Sequence, residues 1–162
     1  MPIRRTIAAL VLSLPLAALA RPASADITVF LGSVLTPSHH TTTGVAVGVS
    51  MVIVAFEFEY AGASQDVEGT IPGLRTGMFS GMVQTPGGLG GLQFYATAGA
   101  GIYRETLVDA KETNFAIGVG GGVKVDLIGP LRLRLDYRLL RLRGSPLHDR
   151  VHRIYAGLNL KF

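Results

Sequence analysis

The chain has 162 residues, no cysteine, 21 glycines and a charged fraction of 16%, with a mean hydropathy of +0.40. This composition excludes a disulfide framework, a thiol nucleophile and a cysteine-ligated metal, and it is too apolar for a disordered chain. The formal charge of +4 arises at the N-terminus, because Arg4, Arg5 and Arg21 precede the first acidic residue and, without them, 12 basic residues face 11 acidic ones. The remainder of the chain has a net charge close to zero, which gives no reason to expect a nucleic-acid partner.

The first 25 residues have the three parts of a secretory signal. Residues 1–5 are positively charged, residues 7–20 are apolar, and Ala23, Ser24 and Ala25 supply the small residues of a cleavage site. We predict cleavage before Asp26, which leaves residues 26–162 as a single domain. The alternative is a membrane-spanning helix, but the apolar run is short and Pro15 interrupts it.

Beyond Asp26, apolar and polar residues alternate in long runs with a period of two, which predicts strands rather than helices. The clearest run is the third strand, where apolar side chains alternate with small or acidic ones: Val54, Phe56, Phe58 and Tyr60 against Ala55, Glu57 and Glu59. Further strands are predicted over 27–35, 74–84, 92–103, 115–127, 131–139 and 154–162. A second strand lies before 50–51, with an uncertain boundary because that turn has no Gly, Asn or Pro.

The predicted connections alternate in length. Polar connections over 36–42, 62–73, 104–114 and 143–150 alternate with short ones near 50–51, 85–90 and 128–130, as in bacterial membrane barrels. A soluble sandwich also alternates, but its strands are shorter, and it does not require an export signal or a terminal aromatic residue. The sequence therefore predicts an all-β fold, a transmembrane antiparallel up-and-down β-barrel of about eight strands.

The C-terminal residues 156–162 resemble the terminal-strand signal of bacterial outer-membrane proteins. Gly157, Leu160 and Phe162 match that pattern, whereas Ala156 departs from the polar residue often found before the glycine. The whole predicted domain is similar to the small barrels of the outer-membrane-protein-A-like class. This resemblance implies a location in the outer membrane, with membrane lipid and the barrel-assembly machinery as partners, and we expect a monomer.

Charged residues on the polar faces of the strands are the first candidate site. Because the interior of an eight-stranded barrel is just wide enough for side chains, we predict that they form a salt-bridged lumen. In a ring of eight strands, the third strand faces the seventh, so Glu57 and Glu59 lie across the lumen from the arginines at 132, 134 and 138. The alternative is an ion path. The predicted lumen residues are Glu57, Glu59, Lys124, Asp126, Arg132, Arg134, Asp136, Arg138 and Lys161.

All four histidines fall in or beside the first and last polar connections, which barrel closure makes neighbours: His39, His40, His148 and His152. Such a rim cluster is a candidate transition-metal site. Four exposed loop imidazoles are the simpler interpretation, which we prefer, and we predict no cofactor.

Enzymatic activity is the third candidate. Some small outer-membrane barrels are lipid A deacylases that use serine, histidine and an acid on the outer surface. Here Arg150, not serine, stands two residues after His148, and Ser38 beside His39 lies in a predicted loop. No nucleotide-binding loop or zinc-protease motif is present. We predict a non-catalytic structural or surface-exposed membrane protein, with a narrow porin-like channel as the alternative and a lipid-modifying enzyme after it.

Overall fold

The computed structural model describes residues 23–35, 39–64, 73–86, 90–107, 110–146 and 148–162, so most of the predicted signal peptide lies outside the described residues. These residues form a closed antiparallel barrel of eight strands, which confirms the predicted fold class. No described helix is long and apolar enough to cross a membrane. The strands are β1 (Ser24–Val34), β2 (His40–Ser50), β3 (Val54–Ala63), β4 (Gly73–Gln84), β5 (Leu92–Leu107), β6 (Ala110–Ile128), β7 (Leu131–Leu142) and β8 (Arg150–Lys161).

The barrel closes where the first strand meets the last. Asp26 of β1 lies opposite Lys161 of β8, and the register continues to Val34 opposite Arg153. The backbone amide of Phe162 also donates to the carbonyl of Ala25 at 2.8 Å. Closure pairs the edges of the sheet, which is the condition for strands to cross a bilayer.

We call the end that carries the β2–β3, β4–β5 and β6–β7 connections the turn end, and the opposite end the loop end. At the turn end, Met51 donates its backbone amide to Val54 at 2.7 Å, which fixes the boundary that the sequence left uncertain. The predicted turn between β6 and β7 is confirmed, and Gly129 adopts a left-handed φ of 58° there.

The prediction of a connection over 104–114 is wrong, because most of those residues belong to strands. β5 has 16 residues and β6 has 19, and their register runs from Leu92 opposite Val125 to Leu107 opposite Ala110. Polar residues occupy both faces of this hairpin extension, for example Arg104 and Glu105. A strand that continues past the apolar zone has no buried face, so it loses the alternation by which it is recognised.

The outer face of the barrel is apolar. Large side chains remain exposed there around the ring, among them Val29 at 63%, Phe79 at 59% and Ile102 at 61%. An exposed apolar surface of this extent marks contact with a membrane rather than with water. The strands therefore place their apolar faces towards lipid and their polar faces towards the lumen.

Two layers of side chains fill the lumen from mid-height to the loop end. The layer at the loop end is apolar and comprises Val34, Ala63, Met78, Tyr103, Ala116, Leu140, Leu142 and Val151. The layer at mid-height is charged and comprises Glu57, Glu59, Arg134, Asp136, Arg138 and Arg153, all buried. We refer to these as the apolar layer and the charged layer.

Candidate functional site

Arg134 is the centre of the charged layer. Its guanidinium is fully buried and forms a bidentate ion pair with Glu57, across the lumen from β7 to β3. It also binds Asp136 at 2.9 Å and donates from Nε to the Tyr95 hydroxyl at 2.8 Å. The planar fork of an arginine suits this arrangement, because it presents several donors to carboxylates in fixed directions.

Arg138 connects the acids of the two strands. It binds Asp136 at 2.8 Å and Glu57 at 2.9 Å, and it lies 3.6 Å from Glu59. Arg153 of β8 completes the layer through an ion pair with Glu59. Each carboxylate of the charged layer therefore has an arginine partner, as the high cost of burying an unpaired charge requires.

Aromatic rings support the arginines. Phe30 and Tyr155 stack with ring centroids 4.1 Å apart, and the guanidinium of Arg153 lies 5.7 Å from each ring centroid. The Tyr95 hydroxyl donates to Asp136, and its ring lies 4.9 Å from the guanidinium of Arg134. Cation–π contacts of this kind favour a desolvated cation.

Glycine on β6 makes room for this packing. A Cβ atom at Gly122 would lie 2.5 Å from the Tyr95 hydroxyl oxygen and 2.1 Å from the backbone oxygen of Leu135. A substitution at this position would displace both the ring and the neighbouring strand.

The predicted lumen residues divide into three groups. Glu57, Glu59, Arg134, Asp136 and Arg138 come together in the charged layer.

Lys124 is buried nearer the turn end and pairs with Asp26 at 2.8 Å, a partner that sequence reasoning missed. Arg132 and Asp126 pair at 2.6 Å, but the Asp126 side chain is 47% exposed, so this pair lies at the rim. Lys161 is exposed and lies outside the network. These last three residues do not join the charged layer, because they stand beside the β6–β7 turn and the end of β8.

Three further residues belong to or contact the charged layer but were not among the predicted lumen residues: Tyr95, Arg153 and Tyr155. The same period-two rule identifies Arg153, because it shares a face with Tyr155 on the last strand.

The predicted salt-bridged lumen does not extend to the loop end. Tyr103, Leu140 and Val151 are buried there, with exposures of 1%, 2% and 4%. The Tyr103 hydroxyl points out of this layer and donates to the Arg143 carbonyl at 2.6 Å. An apolar layer needs no ion partners and packs directly.

The structure does not bring the four histidines of the candidate rim cluster together as a metal site. Within the described residues, no group of three or more histidine, cysteine or acidic side chains is placed to hold a metal ion. His40 is the first residue of β2, and His152 lies within β8, where Nδ1 shares a hydrogen bond of 2.6 Å with the Tyr137 hydroxyl. Because Tyr137 belongs to the outer face, His152 turns away from the rim interior, and His39 is exposed in the connection.

Two residues of the predicted assembly signal, Gly157 and Leu160, lie on β8, and Phe162 directly follows that strand. Gly157 faces the lumen and is buried, whereas Leu160 and Phe162 face outward at the turn end with exposures of 40% and 63%. This places two apolar side chains at the edge of the lipid-facing surface.

Comparison with solved structures identifies this architecture. The N-terminal β-barrel domain of Pseudomonas aeruginosa OprF matches with a TM-score of 0.66 and 17% identity, covering 87% of this chain and 100% of that one. Neisserial surface protein A matches with a TM-score of 0.65 and 17% identity, covering 86% and 96%. The chain has the fold of the small barrels of the bacterial outer membrane.

Other comparisons do not narrow this class. The outer-membrane enzyme PagL also matches, with a TM-score of 0.53 and 11% identity over 83% of this chain and 98% of that one. No protein-family model matches, and no curated protein matches. These likenesses establish the outer-membrane barrel fold.

Proposed function

We propose that this protein is a non-catalytic integral outer-membrane barrel with a filled lumen, which anchors surface-exposed connections available for ligand contact. The observation that carries the proposal is the burial of the charged layer, where the side chains of Arg134 and Glu57 are 0% and 1% exposed. An ion that entered this layer would have to displace paired charges. It would then meet the apolar layer, which offers no replacement for its hydration shell.

Conductance tests this proposal. Protein extracted from membranes is expected to migrate differently on a gel with and without heating, and to give no stable current steps in planar lipid bilayers. A steady, large conductance from heat-modifiable protein would overturn the filled-lumen proposal and favour the porin-like channel.

The outer surface of the barrel supports the proposal that this protein is not an enzyme. The histidine on the outer face, His152, pairs through Nδ1 with the hydroxyl of Tyr137, whereas a serine hydrolase requires an acid to orient the imidazole. Ester hydrolysis of purified lipid A by the native protein, abolished by His152→Ala, would contradict this part of the proposal.

We further propose that Phe162 is read by the barrel-assembly machinery. Deleting Phe162 removes one exposed ring and a single backbone donor, so the fold itself should lose little. We expect a strong loss of heat-modifiable protein from the outer membrane, with Leu160→Ala intermediate and Lys161→Ala close to the unchanged chain. Normal outer-membrane levels of the truncated chain would contradict an assembly role.

A further inference from the structure

Charges on the outer face of the barrel have a one-sided distribution. On the described strands, every outward-facing charged side chain is a cation, and all lie at the loop end. We call this set the outer cation band: Arg75, Arg104, Lys111, Arg141 and Arg150, all exposed. At the turn end, the outward-facing residues of the described strands carry no charge, as Phe56, Val83, Leu127 and Leu160 illustrate.

Two pairs within the band place like charges side by side. Arg75 of β4 is the direct cross-strand partner of Arg104 of β5, and Arg141 of β7 is the partner of Arg150 of β8. Like charges directly opposite each other destabilise a sheet. Among the described residues, none of the band residues has an acidic partner within ion-pair distance, and Arg104 donates to the Thr113 hydroxyl at 3.3 Å.

On the β5–β6 hairpin, the described acids lie on the face opposite to Arg104 and Lys111, and the exposed Asp149 precedes Arg150 in the connection before β8. Glu105 and Glu112 are cross-strand partners whose positions alternate with those of Arg104 and Lys111. Glu112 accepts from the Tyr103 hydroxyl at 3.2 Å and from the Ser145 amide at 2.7 Å. The hairpin therefore separates its charges, with acids towards the lumen side and cations outward.

The band lies at the depth of lipid headgroups. Arg104 stands two residues beyond the lipid-facing Ile102, which is about 7 Å along an antiparallel strand. The polar region of a bilayer extends roughly 5–8 Å beyond each side of its hydrocarbon core. At this depth a lipid-facing cation costs little and reaches anionic groups of the surrounding leaflet.

We propose that the outer cation band binds phosphate groups of the phosphorylated glycolipid that surrounds the loop end, with each arginine pair clamping one phosphate. Two adjacent guanidinium groups supply parallel donors that match phosphate oxygens. A phosphate between them also relieves the repulsion within each pair. The inference rests on the proposed function, because it requires a membrane-embedded barrel whose loop end faces the outer leaflet.

The test compares lipids and variants. Protein extracted from membranes is placed in phosphatidylcholine nanodiscs, and its affinity is measured for fluorescent lipid A with both phosphates and for the same lipid after dephosphorylation. We expect clear preference for the phosphorylated lipid, and a loss of about tenfold or more in Arg75→Gln/Arg104→Gln and in Arg141→Gln/Arg150→Gln. Lys161→Gln, which removes an exposed cation at the turn end, is the matched control and should bind like the unchanged protein.

The outcomes separate the two proposals. Equal binding of both lipids, or unchanged binding in both double variants, would overturn the phosphate clamp while leaving a heat-modifiable barrel intact. Competition by heparin at lower concentration than by lipid A would assign the band to a soluble polyanion and overturn the lipid assignment. Failure of the unchanged protein to form a heat-modifiable barrel in lipid would instead overturn the proposed function.

Discussion

The charged layer and the apolar layer fill neighbouring parts of one lumen with opposite chemistry. In the charged layer, Arg134 is held by two carboxylates and a tyrosine hydroxyl, so each group depends on the others. In the apolar layer, Leu140 and Val151 pack without specific partners. The comparison shows that a narrow barrel can be filled either by a closed set of ion pairs or by ordinary packing, and that the two respond differently to substitution.

The largest expected effect is the loss of one partner in the charged layer. Glu57→Gln leaves Arg134 and Arg138 short of a buried counter-charge, and it should lower the free energy of unfolding by about 3–5 kcal/mol. Urea unfolding in detergent or lipid, followed by gel mobility, measures this change.

A double-mutant cycle tests whether Glu57 and Arg134 stabilise the barrel through their mutual ion pair. Adding Arg134→Gln to Glu57→Gln should recover part of the loss, because both members of the pair then become neutral. Recovery stays partial because Arg138 still contacts the position of Glu57. Strictly additive losses would show that the two side chains do not interact.

A substitution in the apolar layer should act by volume alone. Leu140→Ala leaves a cavity and should cost about 2–5 kcal/mol, whereas Leu140→Met, which keeps the volume, should cost less than about 1.5 kcal/mol. Equal losses in the two variants, measured by the same unfolding assay, would remove the distinction between the layers.

Tyr95→Phe removes one hydroxyl from the edge of the charged layer. That hydroxyl donates to Asp136 and accepts from Arg134, so its loss should cost about 1.5–3 kcal/mol. Tyr103→Phe is the comparison, since its hydroxyl binds the Arg143 carbonyl and Glu112 near the rim, and we expect a smaller loss. A larger loss in Tyr103→Phe would reverse the order that we assign to the layers.

The smallest expected effect is on conductance. Arg138→Ala thins the charged layer, but the apolar layer above it stays intact, so planar bilayers should still show no stable current. Current through Arg138→Ala, but not through Leu140→Ala, would mean that the charged layer alone blocks the lumen.

The alternation of residues made the charged layer predictable. Glu57 and Arg134 stand on polar faces of cleanly alternating strands, and a ring of eight strands places them opposite each other. The apolar layer could not be predicted in this way, because Leu139 and Leu140 are adjacent and both apolar, so the period does not reveal which of them faces inward.

Asp26 illustrates another limit of sequence reasoning. It follows the predicted cleavage site directly, and only the closed register brings it to Lys124. The candidate histidine cluster does not form because β8 begins at Arg150, before the predicted start at 154, so the alternation along the strand turns His152 outward with Ile154.

The ion pairs of the charged layer join residues that are far apart along the chain, 77 positions between Glu57 and Arg134 and 94 between Glu59 and Arg153. Contacts between residues this far apart in sequence form late, because closing the intervening chain costs conformational entropy before the contact can form. Until β7 and β8 arrive, the two glutamates of β3 have no arginine partners. A partly assembled barrel therefore has unpaired carboxylates at the depth of the membrane, and their arginine partners are in place only when the ring is complete. The network thus favours all-or-none closure, and it penalises any intermediate that inserts before its last strand is in place.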